Sequence, residues 1–498
     1  MSGATQYEAV IGLEIHVQLR TKSKMFCRCD NRADGAKPNE LTCPVCLGLP
    51  GALPVPNRTA VEWALKVALA LGCTIPDESK FDRKQYFYPD LPKGYQISQY
   101  DQPFGGPGTF EFDMVEDGKP GGKPVTKKIG ITRLHLEEDA GKLTHPKGAD
   151  YSLVDLNRSG TPLAEIVTEP DLRSPAEAKR FLQELRRLMR YLGVSDADME
   201  KGHLRADANV SLRKPGEKKL GTKTELKNLN SFRFVEKGLA SEIKRQTELL
   251  GKGEKIDQET RGFDEDRGKT VSQRGKEEAH DYRYFPEPDI PPLNPKELNL
   301  EKLEAETGMT PMSYRRLLYK DDNRYIASQE LLDAAINSKE EMEAIVSATE
   351  SYIGKPLDGL VKNADNQIRK IPILWLSYRQ YPEFENRRNL ERLKEFTLSI
   401  APHVRVIRGP QAKVISKEWE KSNGSLGKII DKFKSSMASG GDIEAAVDQA
   451  IKDNPKPAAD FKAGNVNAKQ VIVGAVMKAT KGAADASEVA QLVEKKLS

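Results

Sequence analysis

The sequence predicts an α+β protein in which a large mixed domain precedes helical ones. Apolar and polar residues alternate with the period of a strand at 9–19 and again at 128–136. A well-capped amphipathic helix follows at 174–192. Strands and helices do not alternate regularly along the chain, which argues against a doubly wound parallel sheet.

Two changes in composition divide the 498 residues into three predicted domains. A proline-rich segment at 286–293 ends the mixed domain, which we place at 1–293. Charged sequence with helical periodicity continues through 294–408. A second break at Gly409 opens a small all-α tail domain, 409–498.

Start and stop signals define the predicted helix at 174–192. Ser174 suits the N-cap, Pro175 suits the first helical position, and Glu177 completes a capping box. Gly193 follows the last apolar residue, as is typical where a helix ends. The apolar residues of this segment recur at helical spacing, so we expect one face of the helix to be buried.

The composition indicates neither a membrane span nor a secretion signal. Charged residues make up 31% of the chain and the mean hydropathy is −0.60. No apolar run approaches the roughly 18 residues that a spanning helix needs. The first residues lack the basic and apolar segments of a signal peptide, and the clustered cysteines fit a reducing compartment. We therefore expect a cytoplasmic protein.

Positive charge is concentrated in the tail. Residues 406–498 contain 15 Lys+Arg and 11 Asp+Glu, so their net charge of +4 equals that of the whole chain. A mildly basic module on a neutral body suits contact with a nucleic-acid backbone. The candidate contacts are lysines near glycines: Lys462, Lys469, Lys478 and Lys481. The alternative is an ordinary solvated, lysine-rich surface.

Four of the five cysteines lie in one short window. Cys27 and Cys29 form a CxC pair, and Cys43 and Cys46 form a CxxC pair shortly after it. Four thiolates at such spacing suit a structural Zn²⁺ ion, because all four ligand positions are then filled by protein. The sequence therefore predicts a zinc knuckle at 27–46. The alternative is four reduced cysteines without a metal.

Two strands carry acidic and imidazole groups. Glu14 and His16 share the polar face of the first strand, and Glu137 and Glu138 end the second. Adjacent carboxylates are unfavourable unless a cation or ligand neutralises them. We therefore predict that these four residues form a catalytic Mg²⁺ site of the kind that serves nucleotide phosphates. The alternative is that both polar faces are merely exposed to solvent.

Two further segments have the composition of a ligand-binding wall. Residues 81–99 interleave aromatic, basic and amide side chains, which can stack on a base and bind phosphate. Arg205, Asp207 and Asn209 lie on one face of a strand whose other face is apolar. The alternative for each segment is an ordinary solvated strand or loop. No P-loop motif is present, so a nucleotide would not be bound in that way.

Long motifs in the first 293 residues resemble the B-subunit family of the bacterial glutamyl/aspartyl-tRNA amidotransferases (GatB of the GatCAB complex). The motifs are YEAVIGLEIHVQL at 7–19, KFDRKQYFYPD at 80–90, TRLHLEEDAGK at 132–142, DLNRSGTPLAEIVTEPD at 155–171, ELKNLNSF at 225–232 and DYRYFPEPD at 281–289. The stretch 319–410 resembles the family poorly, whereas the sequence of the tail resembles the family again.

The resemblance implies a cradle-shaped α+β domain with kinase activity, followed by a helical domain and a tail that contacts tRNA. It implies ATP- and Mg²⁺-dependent phosphorylation of the side-chain carboxylate of mischarged Glu-tRNA(Gln) or Asp-tRNA(Asn). Ammonia from a glutaminase partner, GatA, would then complete amidation, with the small protein GatC as third member of the heterotrimer. On this basis Lys84, Tyr88 and Arg158 are candidates for phosphate or substrate contact, beside Arg205, Asp207 and Asn209.

Two other functions remain open on the sequence alone. The chain could be a zinc-stapled, non-catalytic tRNA adaptor whose carboxylates are only a solvated surface. It could instead be a free-standing ATP-dependent ligase for a small amino acid, although such an enzyme would not need a basic tail. Mg²⁺-dependent ATP cleavage that aminoacyl-tRNA stimulates would separate the three.

Overall fold

In a computed structural model, the chain forms two compact units, one mainly Met1–Arg316 and the other mainly Glu340–Ser498. The structure describes residues 7–32, 35–115, 123–275, 281–321, 324–325, 339–353, 390–403, 409–422, 425–435, 440–480 and 486–497, with a few isolated positions between them. The division into three domains at 293 and 408 stays a prediction.

The first unit is built on an eight-stranded sheet of order β12-β11-β10-β9-β1-β8-β5-β4. Neighbouring strands are antiparallel except β10 and β11, which are parallel. Its strands are β1 (Glu8–Gln18), β4 (Gly108–Val115), β5 (Pro124–Glu138), β8 (Pro162–Thr168), β9 (Leu204–Arg213), β10 (Thr224–Lys227), β11 (Glu259–Asp264) and β12 (Lys269–Gly275). This mixed sheet confirms the α+β prediction.

The described residues also form three smaller sheets. A three-stranded sheet has the order β13-β2-β3, and β6 pairs with β7 and β14 with β15. These strands are β2 (Asp82–Gln85), β3 (Tyr95–Ser98), β6 (Lys142–Thr144), β7 (Leu153–Asp155), β13 (Phe285–Pro286), β14 (Lys320–Asp321) and β15 (Arg324–Tyr325). The residue after β3, Gln99, accepts a hydrogen bond at Oε1 from the Leu136 N–H of β5 (3.0 Å), which joins the small sheet to the large one.

Period-two alternation determines how β1 is buried. Ile11, Leu13 and Ile15 are at most 1% exposed and belong to the main hydrophobic core. Glu14 and His16 point to the opposite face, where they are only partly buried. The strand predicted at 9–19 is thereby confirmed.

Among the described residues, the α-helices that lie wholly or largely in the first unit are α1 (Arg58–Ala70), α2 (Pro175–Tyr191), α3 (Phe232–Gly251), α4 (Leu300–Thr307) and α5 (Pro311–Tyr319). The predicted capping of α2 is confirmed, because Ser174 Oγ accepts a hydrogen bond from the Glu177 N–H (3.2 Å). The Glu177 carboxylate accepts its own bond from the Arg173 N–H (2.7 Å), one residue earlier than in a standard capping box.

Between 340 and 498, the described residues of the second unit are mostly helical. Its α-helices are Lys339–Ile353, Leu390–Ile400, Gly409–Lys421, Leu426–Ser435, Gly440–Asp453, Pro455–Lys462, Lys469–Ala479 and Ala486–Leu497. The last four share a small core around Val447, Ile472 and Val489. Among the residues that the structure describes, no helix is both long and apolar enough to span a membrane.

Candidate metal and nucleotide site

The polar face of the large sheet brings four charged residues into one row. Strand pairing sets Arg205 of β9 opposite His16 of β1, His16 opposite Glu165 of β8, and Glu165 opposite His135 of β5. Because side chains opposite each other in a sheet lie on the same face, all four project from one surface. Glu137, two residues after His135, lies on the same face.

Three of these side chains form a potential metal site. One ligand atom from each of His16, Glu137 and Glu165 lies within 4.8 Å of the others. His16 Nε2 is 3.4 Å from Glu137 Oε1 and 3.3 Å from Glu165 Oε2. Two carboxylates and one imidazole are a ligand set that a Mg²⁺ ion can use when it keeps part of its water shell.

His135 interacts with the carboxylates of both Glu137 and Glu165. Its Nε2 is 3.0 Å from Glu165 Oε2 and 3.8 Å from Glu137 Oε2. Ser98 Oγ donates a further hydrogen bond to Glu137 Oε2 (3.1 Å). Glu137 thus has Oε2 held by His135 and Ser98 and Oε1 directed toward His16, whereas Glu165 contacts both histidines through Oε2.

Burial and charge set the protonation of this cluster. Burial alone would lower the pKa of His135, but the carboxylates of Glu165 and Glu137 outweigh it and raise that pKa to about 9. Burial would raise the pKa of Glu165, but His135 and His16 hold it well below its usual range. The carboxylates are therefore ionised at neutral pH and ready to bind a cation.

Glu14 lies on the same face of the sheet, two residues before His16 on β1. It accepts a hydrogen bond from Asn209 Nδ2 (3.1 Å) and sits opposite Asp207 of β9. Burial raises its pKa, and the nearby charges of Glu165, Glu225 and Asp207 add to the effect. A bound proton or a nearby cation would relieve this repulsion. Glu14 is not among the three residues whose ligand atoms converge.

Glu138 is directed away from His16, Glu137 and Glu165. Its carboxylate lies 2.5 Å from Lys93 Nζ and accepts a hydrogen bond from the Ile97 N–H (3.0 Å). Consecutive residues of a strand point to opposite faces, so Glu137 and Glu138 cannot both reach one ion from β5. The predicted set of four is thus not brought together; Glu165 occupies the place given to Glu138.

Glu165 was not among the residues predicted for this site. Its only signal was a carboxylate within an otherwise apolar segment, PLAEIVT, that forms β8. A charge in such a central strand is unfavourable unless it has a partner. From the sequence, Glu165 could therefore have been recognised as a candidate site residue, but the residues that it contacts could not.

A cavity of about 420 Å³ lies on the side of this cluster where Lys84 is found. We call it the tyrosine pocket; its walls are Lys84, Tyr86, Tyr88, Lys227, Thr260, Gln273 and Tyr282. Lys84 Nζ lies 4.8 Å from the centre of the Tyr282 ring. Burial would lower the pKa of Lys84, but the carboxylates of Glu137 and Glu165 contribute to raising it. The Lys84 ammonium is therefore charged and electrostatically coupled to the metal cluster.

The other predicted binding residues have partners within the protein. Lys227 Nζ binds Asp207 Oδ2 (2.8 Å), and Arg205 Nη2 binds Asp139 Oδ2 (3.0 Å). Arg158 donates from Nε to the Ala140 carbonyl (3.0 Å) and from Nη2 to the Gly141 carbonyl (2.5 Å). Tyr88 is 55% exposed at the pocket. Arg158 thus braces its own loop, whereas Arg205 and Asp207 line the sheet face.

The four window cysteines converge. One sulfur from each of Cys27, Cys29, Cys43 and Cys46 lies within 4.8 Å of the others, and the sulfurs of Cys43 and Cys46 are 3.8 Å apart. Zn–S bonds of about 2.3 Å place tetrahedral sulfurs about 3.8 Å apart. The Cys46 pKa is lowered to about 5, chiefly by a hydrogen bond from Cys27. The residues fit a zinc ion.

The tail lysines differ in their surroundings. Lys462 and Lys478 are exposed at or near the ends of their helices. Lys469 instead forms an ion pair with Glu494. Lys481 lies outside the described residues. Two of the predicted lysines are thus available on the surface.

Comparison with known proteins identifies the family. The GatB/GatE catalytic domain matches residues 9–301, and the GatB domain matches 385–497. The chain belongs to the GatB/GatE family. The resemblance drawn from the motifs is thereby confirmed, and with it the prediction that the chain is part of a ligase-type amidotransferase. The GatB/GatE catalytic domain includes every residue of the metal cluster.

Curated relatives match over almost their whole length. A protein of Carboxydothermus hydrogenoformans is 43% identical over 507 residues, and the match covers 99% of each chain. Proteins of Picosynechococcus sp. and Brevibacillus brevis are 42% identical, over 99% of this chain and 98% and 99% of theirs. All three are named as the B subunit of an aspartyl/glutamyl-tRNA(Asn/Gln) amidotransferase.

Proposed function

We propose that this GatB-family chain activates the side-chain carboxylate of a mischarged Glu-tRNA(Gln) or Asp-tRNA(Asn) by ATP-dependent phosphorylation. Ammonia then attacks the acyl phosphate and gives Gln-tRNA(Gln) or Asn-tRNA(Asn). The observation that carries the proposal is the group of His16, Glu137 and Glu165 beside the Lys84 ammonium. A non-catalytic tRNA adaptor would have no need of this buried, preorganised charge.

The reaction needs activation because a carboxylate is a poor electrophile. One carboxylate oxygen attacks the γ-phosphorus of ATP, the bond from that phosphorus to the bridging oxygen breaks, and ADP leaves. Ammonia then attacks the acyl carbon, inorganic phosphate leaves with the C–O electrons, and ammonia loses a proton. Catalysis of phosphoryl transfer is mostly positioning and charge neutralisation, so the protein needs cations and rigid ligands.

The chain's own residues divide these tasks. His16, Glu137 and Glu165 would hold Mg²⁺, and Glu14, predicted as a fourth ligand, lies on the same face of the sheet and interacts electrostatically with Glu165. The ion, when bound, neutralises the transferring phosphoryl group and fixes its orientation. Lys84 supplies a second positive charge from the pocket side, and His135 with Ser98 keeps the carboxylates oriented. The further prediction that Glu138 binds Mg²⁺ has less geometric support.

The activity is tested with the assembled enzyme and mischarged tRNA, without an ammonia donor. We expect Mg²⁺-dependent ADP release that the aminoacyl-tRNA stimulates, and an acyl phosphate that hydroxylamine traps as a hydroxamate. Glu137→Gln should abolish both signals at ordinary Mg²⁺ concentrations, whereas deacylated tRNA is the control substrate. The kinase role would be refuted if ADP were released equally fast with aminoacylated and deacylated tRNA. It would also be refuted if the wild-type enzyme gave no hydroxamate.

Glu138→Gln separates two metal assignments. If Glu138 binds Mg²⁺, this variant should require more Mg²⁺ for half-maximal rate, as Glu137→Gln should. If Glu165 takes that role, the Mg²⁺ requirement of Glu138→Gln should stay at the wild-type value, whatever happens to its overall rate through the lost Lys93 ion pair.

We further propose that the chain works in the cytoplasm in a heterotrimer with the glutaminase GatA and the small protein GatC. The division of labour supports this, since the cluster described above suits phosphoryl transfer and not amide hydrolysis. Co-purification from native lysate, followed by identification of bound proteins and tRNA, tests it. Recovery of the chain alone, without tRNA, would contradict the assembly.

The tail is proposed to bind the tRNA backbone through its exposed lysines. Replacing both Lys462 and Lys478 with Ala should raise KM for aminoacyl-tRNA with little change in kcat, because only remote binding is lost. The slope of log affinity against log salt should become shallower by up to about 2. Lys469→Ala is the matched control, since Lys469 pairs with Glu494. An unchanged salt slope would instead favour an ordinary solvated surface.

We also propose that the cysteine cluster holds a structural zinc ion. All four ligands would come from protein, which leaves no open position for catalysis. Elemental analysis after gentle purification should find about one zinc per chain; absence of zinc would favour four reduced cysteines without a metal.

A further inference from the structure

Lys24, three residues before the first cysteine of the cluster, has a completely buried side chain. It is 0% exposed and is among the largest fully buried side chains of the described residues. Its Nζ donates to the Leu41 carbonyl (2.7 Å), to the Leu156 carbonyl (3.5 Å) and to Cys46 Sγ (3.9 Å). An ammonium group has three N–H donors, so these three acceptors use all of them. Lys24 is thus fully hydrogen-bonded at the edge of the cysteine cluster.

The charge of this ammonium has no carboxylate to balance it. Among the residues that the structure describes, Lys24 Nζ forms no ion pair with a carboxylate, and two of its three partners are neutral carbonyls. Burying a charge is costly unless an opposite charge compensates it. The third partner, Cys46, belongs to the cysteine cluster. Its sulfur is the one acceptor of the three that can carry a negative charge.

A zinc ion bound by the four cysteines would supply that negative charge. Four thiolates carry twice the charge of one Zn²⁺ ion, so the complex as a whole is an anion. A positive group hydrogen-bonded to one of the sulfurs reduces the excess charge and orients the ligand, as outer-shell partners do. Lys24 has both the charge and the position for this, whereas the exposed Lys22, two residues earlier, has only the charge.

The same ammonium joins the cysteine window to the segment that leads into β8. Segment 156–160 precedes that strand and includes Leu156, whose carbonyl accepts from Lys24. The Met25 N–H donates to the Gly160 carbonyl (2.7 Å). Gly160 has a φ of +86°, and an added Cβ there would lie 3.4 Å from Lys24 Cδ. The segment therefore lies directly against the Lys24 side chain, in a backbone conformation that favours glycine.

We propose that Lys24 is a positioning residue of the cysteine cluster. Its ammonium offsets the negative charge of the metal-bound thiolates through Cys46, and its bonds to two carbonyls fasten the cysteine window to segment 156–160. The proposal rests on the structural zinc ion proposed above and concerns metal binding, not phosphorylation of the substrate carboxylate. A lysine that only braced the two carbonyls would leave the metal affinity and the electronic properties of the thiolates unchanged.

The zinc affinity of the full chain is the first test. Lys24→Met keeps most of the shape of the side chain but removes its charge and its donors. We expect its zinc affinity to be about 10- to 100-fold weaker than that of wild type, measured by competition with a chromophoric chelator at fixed pH and salt. Lys22→Met, at an exposed lysine, is the matched control and should bind zinc as wild type does. Equal affinities of Lys24→Met and wild type would overturn the proposal.

Cobalt substitution separates a loss of charge from a loss of folding. In the chain loaded with Co²⁺ alone, the thiolates give a sulfur-to-cobalt charge-transfer band. Removing a positive charge beside the sulfur raises the energy of the sulfur electrons, so in Lys24→Met this band should move to longer wavelength while the visible absorption of tetrahedral Co²⁺ is retained. Lys24→Gln, which keeps N–H donors but has no charge, should show the same shift. A wild-type band in Lys24→Gln would contradict the charge role.

These measurements also separate the role of Lys24 from the zinc site on which it rests. A wild-type chain that binds neither Zn²⁺ nor Co²⁺ would refute both. Wild-type affinity and a wild-type charge-transfer band in both Lys24 variants would leave the zinc site in place and refute the role of Lys24.

Discussion

The cysteine cluster and the carboxylate–histidine cluster are both groups of ligand atoms within 4.8 Å of one another, but they are built differently. The cysteine cluster draws four ligands from one segment of twenty residues, 27–46. The other draws His16, Glu137 and Glu165 from three strands that lie far apart in sequence. Short spacing made the first visible in the sequence, whereas only sheet pairing assembled the second.

The two clusters also differ in how complete they are. Four thiols fill a tetrahedral shell, so the cysteine site is closed. Two carboxylates and one imidazole, with one ligand atom each, would fill three of six octahedral positions and leave three open. The Lys84 ammonium interacts electrostatically with both of these carboxylates. A closed site serves structure and an open one serves chemistry, which predicts that changes to the two clusters have opposite consequences for activity and stability.

The largest expected effect is in the open cluster. Glu165→Gln should reduce acyl phosphate formation by more than the roughly 100-fold that loss of an outer-shell partner can cause, because it removes a direct ligand. Single-turnover ADP release measures the change. The fold should persist, since the amide keeps the shape of the side chain. A rate within tenfold of wild type would contradict the proposed difference between the two clusters.

The next effect concerns the support of that cluster. His135→Asn should weaken Mg²⁺ binding by about 10- to 100-fold, since Glu165 loses the partner that orients it. The Mg²⁺ concentration for half-maximal rate measures this, and the rate at saturating Mg²⁺ should recover most of its wild-type value. A lower rate without any change in Mg²⁺ dependence would show a role other than positioning.

A change in the closed cluster should affect stability more than rate. Cys43→Ser should lower zinc content from about one per chain to near zero and lower the melting temperature by several degrees. Amidation should fall less than in Glu165→Gln, because no thiol reaches the reacting atoms. Cys73→Ser, at a buried cysteine outside the cluster, is the control for a simple loss of sulfur. Equal losses of activity in Cys43→Ser and Glu165→Gln would contradict the distinction between a structural cysteine cluster and a catalytic carboxylate–histidine cluster.

The smallest expected effect is on activity after treatment with a chelator, which distinguishes the two clusters by how readily each exchanges its metal ion. Brief EDTA treatment followed by excess Mg²⁺ should restore full activity and leave zinc in place, since an open oxygen site exchanges its ion more readily than four thiolates do. Zinc content and rate are measured on the same sample. If activity returned only after zinc was added, the cysteine cluster would have a role in the reaction.

The sequence by itself determined the local features of this protein. The strand at β1, the caps of α2 and the cysteine window each depend on residues within about twenty positions, where period and spacing act directly. The motifs of the first domain also established the family, which the full-length relatives confirm.

The tertiary structure alone decided which polar residues meet. The strand order β9-β1-β8-β5 places Glu165 between His16 and His135, and the pleat turns Glu138 to Lys93 on the other face. In the same way, Lys227 and Tyr282 join Lys84 only because segments that are distant in sequence line one cavity. Sequence spacing does not encode such contacts, because register between distant strands follows from how their apolar faces share one core.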